Sequence, residues 1–206
     1  MTYTELVDDI RLLSKRGDID DKIAIALRMT TLRCHRIDTF WRDLVEANAL
    51  FAPDTQMTLD VSTQLIRFRQ LAYIRYYDSD ADILGDFLTE TGPAAVLDEY
   101  SQYKPDTYYL AGVNIQARFQ YSANGVRVGY YQNPDVSPLT YNSWIKDELP
   151  DILVQGSLAF LFNLTGKQEE ARSLNRLVGL EVDPANRSPG NTLADELRAI
   201  GLQRHN

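Results

Sequence analysis

Residues Ile152 to Leu164 form a run that only Gln155, Ser157 and Asn163 interrupt with polar side chains. As a helix of 3.6 residues per turn, this segment is apolar on nearly every side, and such a helix has to be enclosed by the rest of the chain. It falls well short of the roughly 20 residues that would span a bilayer. The flanks agree with a helical hairpin over 143–182. Ser143 can cap a helix start, Pro150 is tolerated in a first turn or at a kink, and Gly166 suits a left-handed terminus. Beyond it, Ala171, Leu174, Val178 and Val182 fall at helical spacing, with Glu169, Glu170, Arg172 and Arg176 between them. That pattern predicts a second, one-sided helix folded back on the first, with Trp144 and Phe160 in the core.

At the N-terminus, Thr2 and Glu5 have capping-box spacing before an apolar stripe of Tyr3, Leu6, Val7, Ile10 and Leu13. Gly17 should stop this helix and Asp18 cap the next. The second helix would turn Ile19, Ile23, Ala26, Leu27, Thr30, Cys34 and Ile37 inward and Arg28, Arg33 and Arg36 outward. From Thr39 the pattern shifts toward strands, although 41–49 would also suit a continued helix. Alternation marks 56–61, 65–71 and 72–77, with Arg67, Arg69 and Arg75 on what reads as a solvated strand face. Residues 78–98 read as an acidic connection with a short helix near 92–100. Strands are expected again at 108–111, 114–119 and 126–131, with Asn124-Gly125 as a hairpin turn. Residues 183–191 read as a linker. The short amphipathic piece Thr192 to Ile200 carries Leu193, Leu197 and Ile200, a face that fits docking on its own domain or on a partner.

The N-terminal residues lack the basic and apolar regions of a secretory leader, so the expectation is a soluble protein made in the cytoplasm. A single cysteine, Cys34, excludes an internal disulfide framework and a cysteine-rich zinc site. A net charge of −8 argues against sequence-independent nucleic-acid binding over the whole surface.

Motifs that would carry chemistry fail on inspection. Asp78-Ser79-Asp80-Ala81-Asp82 begins like a calcium loop, but Ile83 replaces the turn glycine and Thr89 the bidentate glutamate. Gly166-Lys167 lacks the first glycine and the hydroxyl residue of a phosphate loop. Cys34 and His35 are neighbours on a helix, about 100° apart, and do not pair as nucleophile and base. Arg16-Gly17-Asp18 reads as an inter-helix turn, Asn163-Leu164-Thr165 as a sequon without consequence, and His205 as part of a disordered end. Paired-carboxylate hydrolysis stays open. No catalytic residue, cofactor or metal ligand is expected.

The Thr-Tyr-Thr-Glu-Leu opening, the arginine-bearing second helix, Asp106 to Gly112, Gly129-Tyr130-Tyr131, Tyr141-Asn142-Ser143-Trp144 and Pro150-Asp151 before the apolar helix resemble the head-to-tail adaptor (connector) proteins of tailed bacteriophages. The resemblance spans about residues 2–182. It implies an α+β fold: a helical bundle of 1–38 and 143–182, an inserted antiparallel β-rich module over about 39–135, and an extended C-terminal arm, 183–206. It also implies a structural virion protein at the head-tail junction. Such a protein forms a homo-oligomeric ring, commonly a dodecamer, that binds the portal protein, carries the next tail component (nozzle or tail tube), and passes DNA without sequence-specific contact. No membrane is involved.

A closed ring requires two different, complementary faces on each subunit. Candidate subunit-interface residues are Arg28, Arg33, Arg36, Asp78, Asp80, Asp82, Arg172 and Arg176. Leu193, Leu197 and Ile200 are candidate portal-binding residues on an arm expected to order only on the portal. Competing readings are a virion-associated cell-wall hydrolase and a monomeric intracellular binding module.

Overall fold

The computed structural model describes residues 1–17, 19–97, 104–180 and 192–202. Its elements run α1 (Tyr3–Ser14), α2 (Asp20–His35), β1 (Leu44–Asp60), α3 (Val61–Gln64), β2 (Phe68–Asp78), β3 (Ile83–Phe87), β4 (Thr89–Glu90), β5 (Thr107–Ala111), β6 (Asn114–Gln132), α4 (Ile145–Glu148), α5 (Pro150–Leu164), α6 (Gln168–Val178) and α7 (Leu193–Gly201). The chain is mixed α+β, with seven helices and a curled six-stranded sheet among the described residues. It divides into two compact units, one of Met1–Asp43 with Asn133–Asn206 and one of Leu44–Gln132.

In the first unit α5 is central, as its composition requires. Ile152, Leu153 and Leu161 are fully buried, and α1, α2, α6 and α7 all pack on it. Each such side chain contributes about 1.5–3 kcal/mol by leaving water. Gly156 lets α2 come close, since a Cβ there would lie 2.7 Å from Thr30 Cγ2. Caps punctuate the helices. Thr2 Oγ1 accepts from the Glu5 N–H at 3.2 Å and the Glu5 carboxylate accepts from the Thr2 N–H at 2.7 Å, which holds the Glu5 carboxyl below its ordinary range. Gly166 and Gly179 carry φ of +76° and +69° at the ends of α5 and α6.

Several expectations need correction here. The turn residue that ends α1 is Lys15, at φ +53°, ahead of Gly17. Asp18 lies outside the described residues. The segment from Ser143 is not one helix: Leu149 leaves helical geometry and Pro150 starts α5 afresh. Helix α6 stops at Val178, where Gly179 turns the chain, and Val182 lies outside the described residues. Trp144 and Phe160 pack against the core half-buried.

The arm is not extended over its described part. Residues 193–201 form α7, with a capping box between Thr192 and Asp195, and Ala194 and Leu197 fully buried in the helical core. A Cβ on Gly201 would overlap the Phe40 ring, and one on Gly179 would overlap Thr192. Apolar burial against a ready-made groove outweighs the marginal stability of so short a helix. The linker 183–191 and His205 lie outside the described residues.

In the second unit the spine is the 19-residue β6. Strand β1 runs antiparallel along one edge of it, from Leu44↔Tyr131 to Asp60↔Asn114, with register shifts between Leu50 and Gln56. On the other edge β2 pairs with the C-terminal half and β5 with the N-terminal half. Strand β3 extends β2, and the two-residue β4 pairs with β5 in parallel, a departure from an all-antiparallel module. Ile74, Ile115, Val126 and Val128 are fully buried in its core.

Asn124-Gly125 is not a hairpin turn. Both residues sit within β6, and Gly125 faces Leu50 so closely that a Cβ would lie 3.0 Å from Leu50 Cδ2 and from the Tyr77 carbonyl. The glycine serves strand approach rather than positive φ. The actual β5–β6 turn is Gly112-Val113, with Gly112 at φ +62°. Residues 41–43 form a 3-10 turn leading into strand, 61–64 a helical turn, and 93–95 a 3-10 turn where a longer helix was expected. Residues 98–103 lie outside the described residues. The three arginines do not share a solvated face. The Arg75 guanidinium donates twice to the Gly85 carbonyl, at 3.1 and 3.0 Å, and Arg69 lies over the Tyr131 ring.

Candidate functional site

The densest buried polar arrangement lies in the helical unit, where the chain leaves it at Asp43 and after it has returned at Asn133. It begins with two residues of α2 a turn apart. Thr31 and His35 stand at i, i+4 on one face, about 6 Å apart along the axis. The extended segment before α4 presents Tyr141 and Ser143 at i, i+2, about 6.6 Å apart. The two periods match. Tyr141 Oη and Thr31 Oγ1 are 2.7 Å apart, and because the Thr31 hydroxyl donates to the Leu27 carbonyl at 2.8 Å, the tyrosine is the donor between them. Burial raises the Tyr141 phenol pKa above its ordinary value. His35 Nε2 lies 2.8 Å from Ser143 Oγ.

The other face of the imidazole meets the 3-10 turn Trp41–Asp43. His35 Nδ1 is 2.8 Å from Asp43 Oδ1, and the same oxygen accepts from Trp144 Nε1 at 2.8 Å. A carboxylate only accepts, so Nδ1 donates to Asp43, and in the neutral imidazole Nε2 accepts from the Ser143 hydroxyl. The Trp144 ring is held edge-on against Phe40, centroids 5.3 Å apart, with the Arg42 guanidinium 5.3 Å above it and Arg42 Nη1 bonded to Glu148 at 2.8 Å.

Ser143, His35 and Asp43 thus stand in the hydrogen-bond order of an acyl-transfer triad. Burial decides what the arrangement does. The three residues are 2%, 1% and 6% exposed. Ser143 Oγ also accepts from the Ile145 N–H at 3.3 Å, so it closes the start of α4. Geometry of this kind fastens three chain segments; a substrate carbonyl would need solvent access to Oγ. Among the described residues there is no group of three or more His, Cys, Asp or Glu that could hold a metal ion, and no helix is long and apolar enough to cross a membrane.

From the sequence Ser143 reads as a cap, Trp144 as core, and His35 only as the neighbour of Cys34. No local signal joins them, since 108 residues separate His35 from Ser143. Of the residues the sequence did single out, Arg28, Arg33 and Arg36 are exposed on α2 and its C-terminal cap. Asp78 ends β2 and Asp80 and Asp82 lie in the β2–β3 turn of the other unit. Arg172 is exposed on α6 and paired with Glu169 at 2.8 Å, and Arg176 is exposed one turn on. Leu197 is buried, and Leu193 and Ile200 pack half-buried on the same core, so the three are engaged within the subunit. Cys34 is fully buried, and desolvation pushes its thiol up to about 12.

No protein-family model matches the chain, and comparison with curated proteins gives no match.

Proposed function

We propose that this chain is a structural, non-enzymatic virion protein, a head-to-tail adaptor whose copies form a ring between portal and tail. In this reading the helical unit is the bundle of the ring wall and residues 44–132 are a β-rich module inserted into it. Support comes from the order of elements: two N-terminal helices, a β-rich stretch, and a return to an apolar central helix with its hairpin partner, in the order that the adaptor resemblance implies. The resident partners are other copies of the chain, the portal protein and the next tail component. The DNA passes without sequence-specific contact. Synthesis is in the host cytoplasm and the working location is the head-tail junction of the virion.

Native mass measurement of the chain with purified portal protein tests this. About twelve copies of 23.5 kDa, roughly 280 kDa, added to the portal mass is the expected result. Failure of the chain to bind portal in any stoichiometry would overturn it.

The Ser143–His35–Asp43 relay favours a second reading, a cell-wall hydrolase. Closure of Ser143 to solvent weighs against that reading, and release of soluble fragments from purified cell walls would establish it.

A further inference from the structure

The outer face of α2 is a second stripe, opposite the buried one. Ile25, Arg28, Met29, Leu32, Arg33 and Arg36 follow the i, i+3, i+4, i+7, i+8, i+11 spacing of a single helix face. Ile25 and Met29 are 55% and 49% exposed, and the three arginines are exposed around them. No Asp or Glu occurs between Lys22 and Ile37. Among the other helix arginines of this unit, Arg11 pairs with Asp8 and Asp20, Arg172 with Glu169 and Arg198 with Asp195, while Arg176 on α6 has no such pair among the described residues. The side chains of Arg28, Arg33 and Arg36 have no hydrogen bond or ion pair among the described residues. An apolar strip interleaved with unneutralised guanidinium groups is the composition of an interface, where arginine is enriched and lone surface charges are not.

The same chain carries a complementary surface. Asp80 and Asp82 in the β2–β3 turn and Asp86 in β3 are exposed. The turn is held in one shape: the Asp78 carboxylate accepts from the N–H groups of Asp80 and Ala81 at 2.9 and 3.3 Å, the Asn124 side chain accepts from the Ser79 N–H at 3.1 Å, and the Tyr77 hydroxyl donates to Asp82 at 2.9 Å. Exposed aspartates on a pre-shaped turn lose little freedom on pairing. Ile83 and Phe87, 58% exposed each, lie beside them and supply apolar area.

We infer that the outer face of α2 is a self-association surface whose occupant is the acidic β2–β3 turn of a second copy of this chain. The pairing is heterologous, one patch meeting a different patch, which is the kind that propagates into a ring when its rotation closes. It rests on the ring reading and names the two faces that meet. A nucleic acid on the arginines is a separate possibility that the test resolves.

The test is sedimentation equilibrium of the full chain over a range of concentrations and salt, with the fold of every variant checked by circular dichroism. Arg33→Glu with Arg36→Glu should weaken self-association by about tenfold or more, since like charges then oppose each other, and Asp80→Lys with Asp82→Lys should do the same. A chain carrying all four changes restores complementarity and should regain association to within about tenfold of the original. Added salt should weaken association of the original chain. Self-association indifferent to both double changes, or no rescue by the fourfold one, overturns the pairing while leaving a ring built on other faces. A chain that stays monomeric at every concentration also overturns it, whereas ring formation on portal protein tests the ring itself. Loss of DNA binding in Arg33→Glu/Arg36→Glu with self-association intact assigns the face to nucleic acid instead.

Discussion

His35 Nε2 and Ser143 Oγ lie 2.8 Å apart in the helical core although 108 residues separate them. The imidazole joins the end of α2 to the start of α4, and through Nδ1 it also holds Asp43, the last residue before the β-rich unit. Ser143→Ala leaves Nε2 and the Ile145 N–H without this partner, and the expected loss is about 1–3 kcal/mol. His35→Leu removes one of the donors to a buried carboxylate, which keeps the Trp144 Nε1–H, and should cost about 1–3 kcal/mol. Urea unfolding of the two variants checks both values.

Ser143 should not react with a fluorophosphonate probe in the folded protein, because Oγ is closed to solvent and engaged by the Ile145 N–H. Stoichiometric labelling that disappears in His35→Leu would restore the hydrolase reading.

Helix α7 is part of the folded subunit. Leu197→Ala empties a fully buried site and should destabilise by about 2–5 kcal/mol. Removing Asn191 to Asn206 should lower the melting temperature for the same reason, where an arm that orders only on a partner would leave it unchanged. Differential scanning calorimetry on the isolated chain distinguishes the two outcomes.

Ser157 Oγ is fully buried in α5 with no hydrogen-bond partner among the described residues. Replacing the hydroxyl by hydrogen removes an unmet desolvation cost, so Ser157→Ala should be neutral or stabilising, by up to about 1–3 kcal/mol. A midpoint shift to lower urea would contradict this.

Cys34 should resist thiol reagents near neutral pH and react only on unfolding, since burial pushes the thiol from 9.0 to about 12. A raised pKa also fixes the sign of the pH dependence. The unfolded thiol ionises first, so this contribution to stability is fully present below about 9 and is lost as pH rises toward about 12. Tyr141, raised by the same cause, acts in the same direction. Unfolding free energies that stay flat or rise in Cys34-containing protein above pH 9, relative to Cys34→Ala, would contradict the assignment.

The sequence by itself determined the features that local chemistry encodes. The Thr2–Glu5 capping box, the enclosed helix at 152–164, the left-handed Gly166 and the inward and outward faces of α2 all follow from residues within about a turn of one another. Strand alternation at 108–111 and 114–119 is legible for the same reason, within the observed Thr107–Ala111 and Asn114–Gln132. Tertiary structure decided the rest. Asn124-Gly125 has the composition of a turn, but pairing on both sides of β6 holds it extended, and Gly112 takes the bend. Leu193, Leu197 and Ile200 are an amphipathic face whichever surface they meet; only the groove lined by Phe40 and the end of α6 assigns them to this subunit. The Ser143–His35–Asp43 relay had no sequence signature at all. Hydrogen bonds form between atoms about 3 Å apart in space, and no spacing along the chain records which distant segments the core will bring that close.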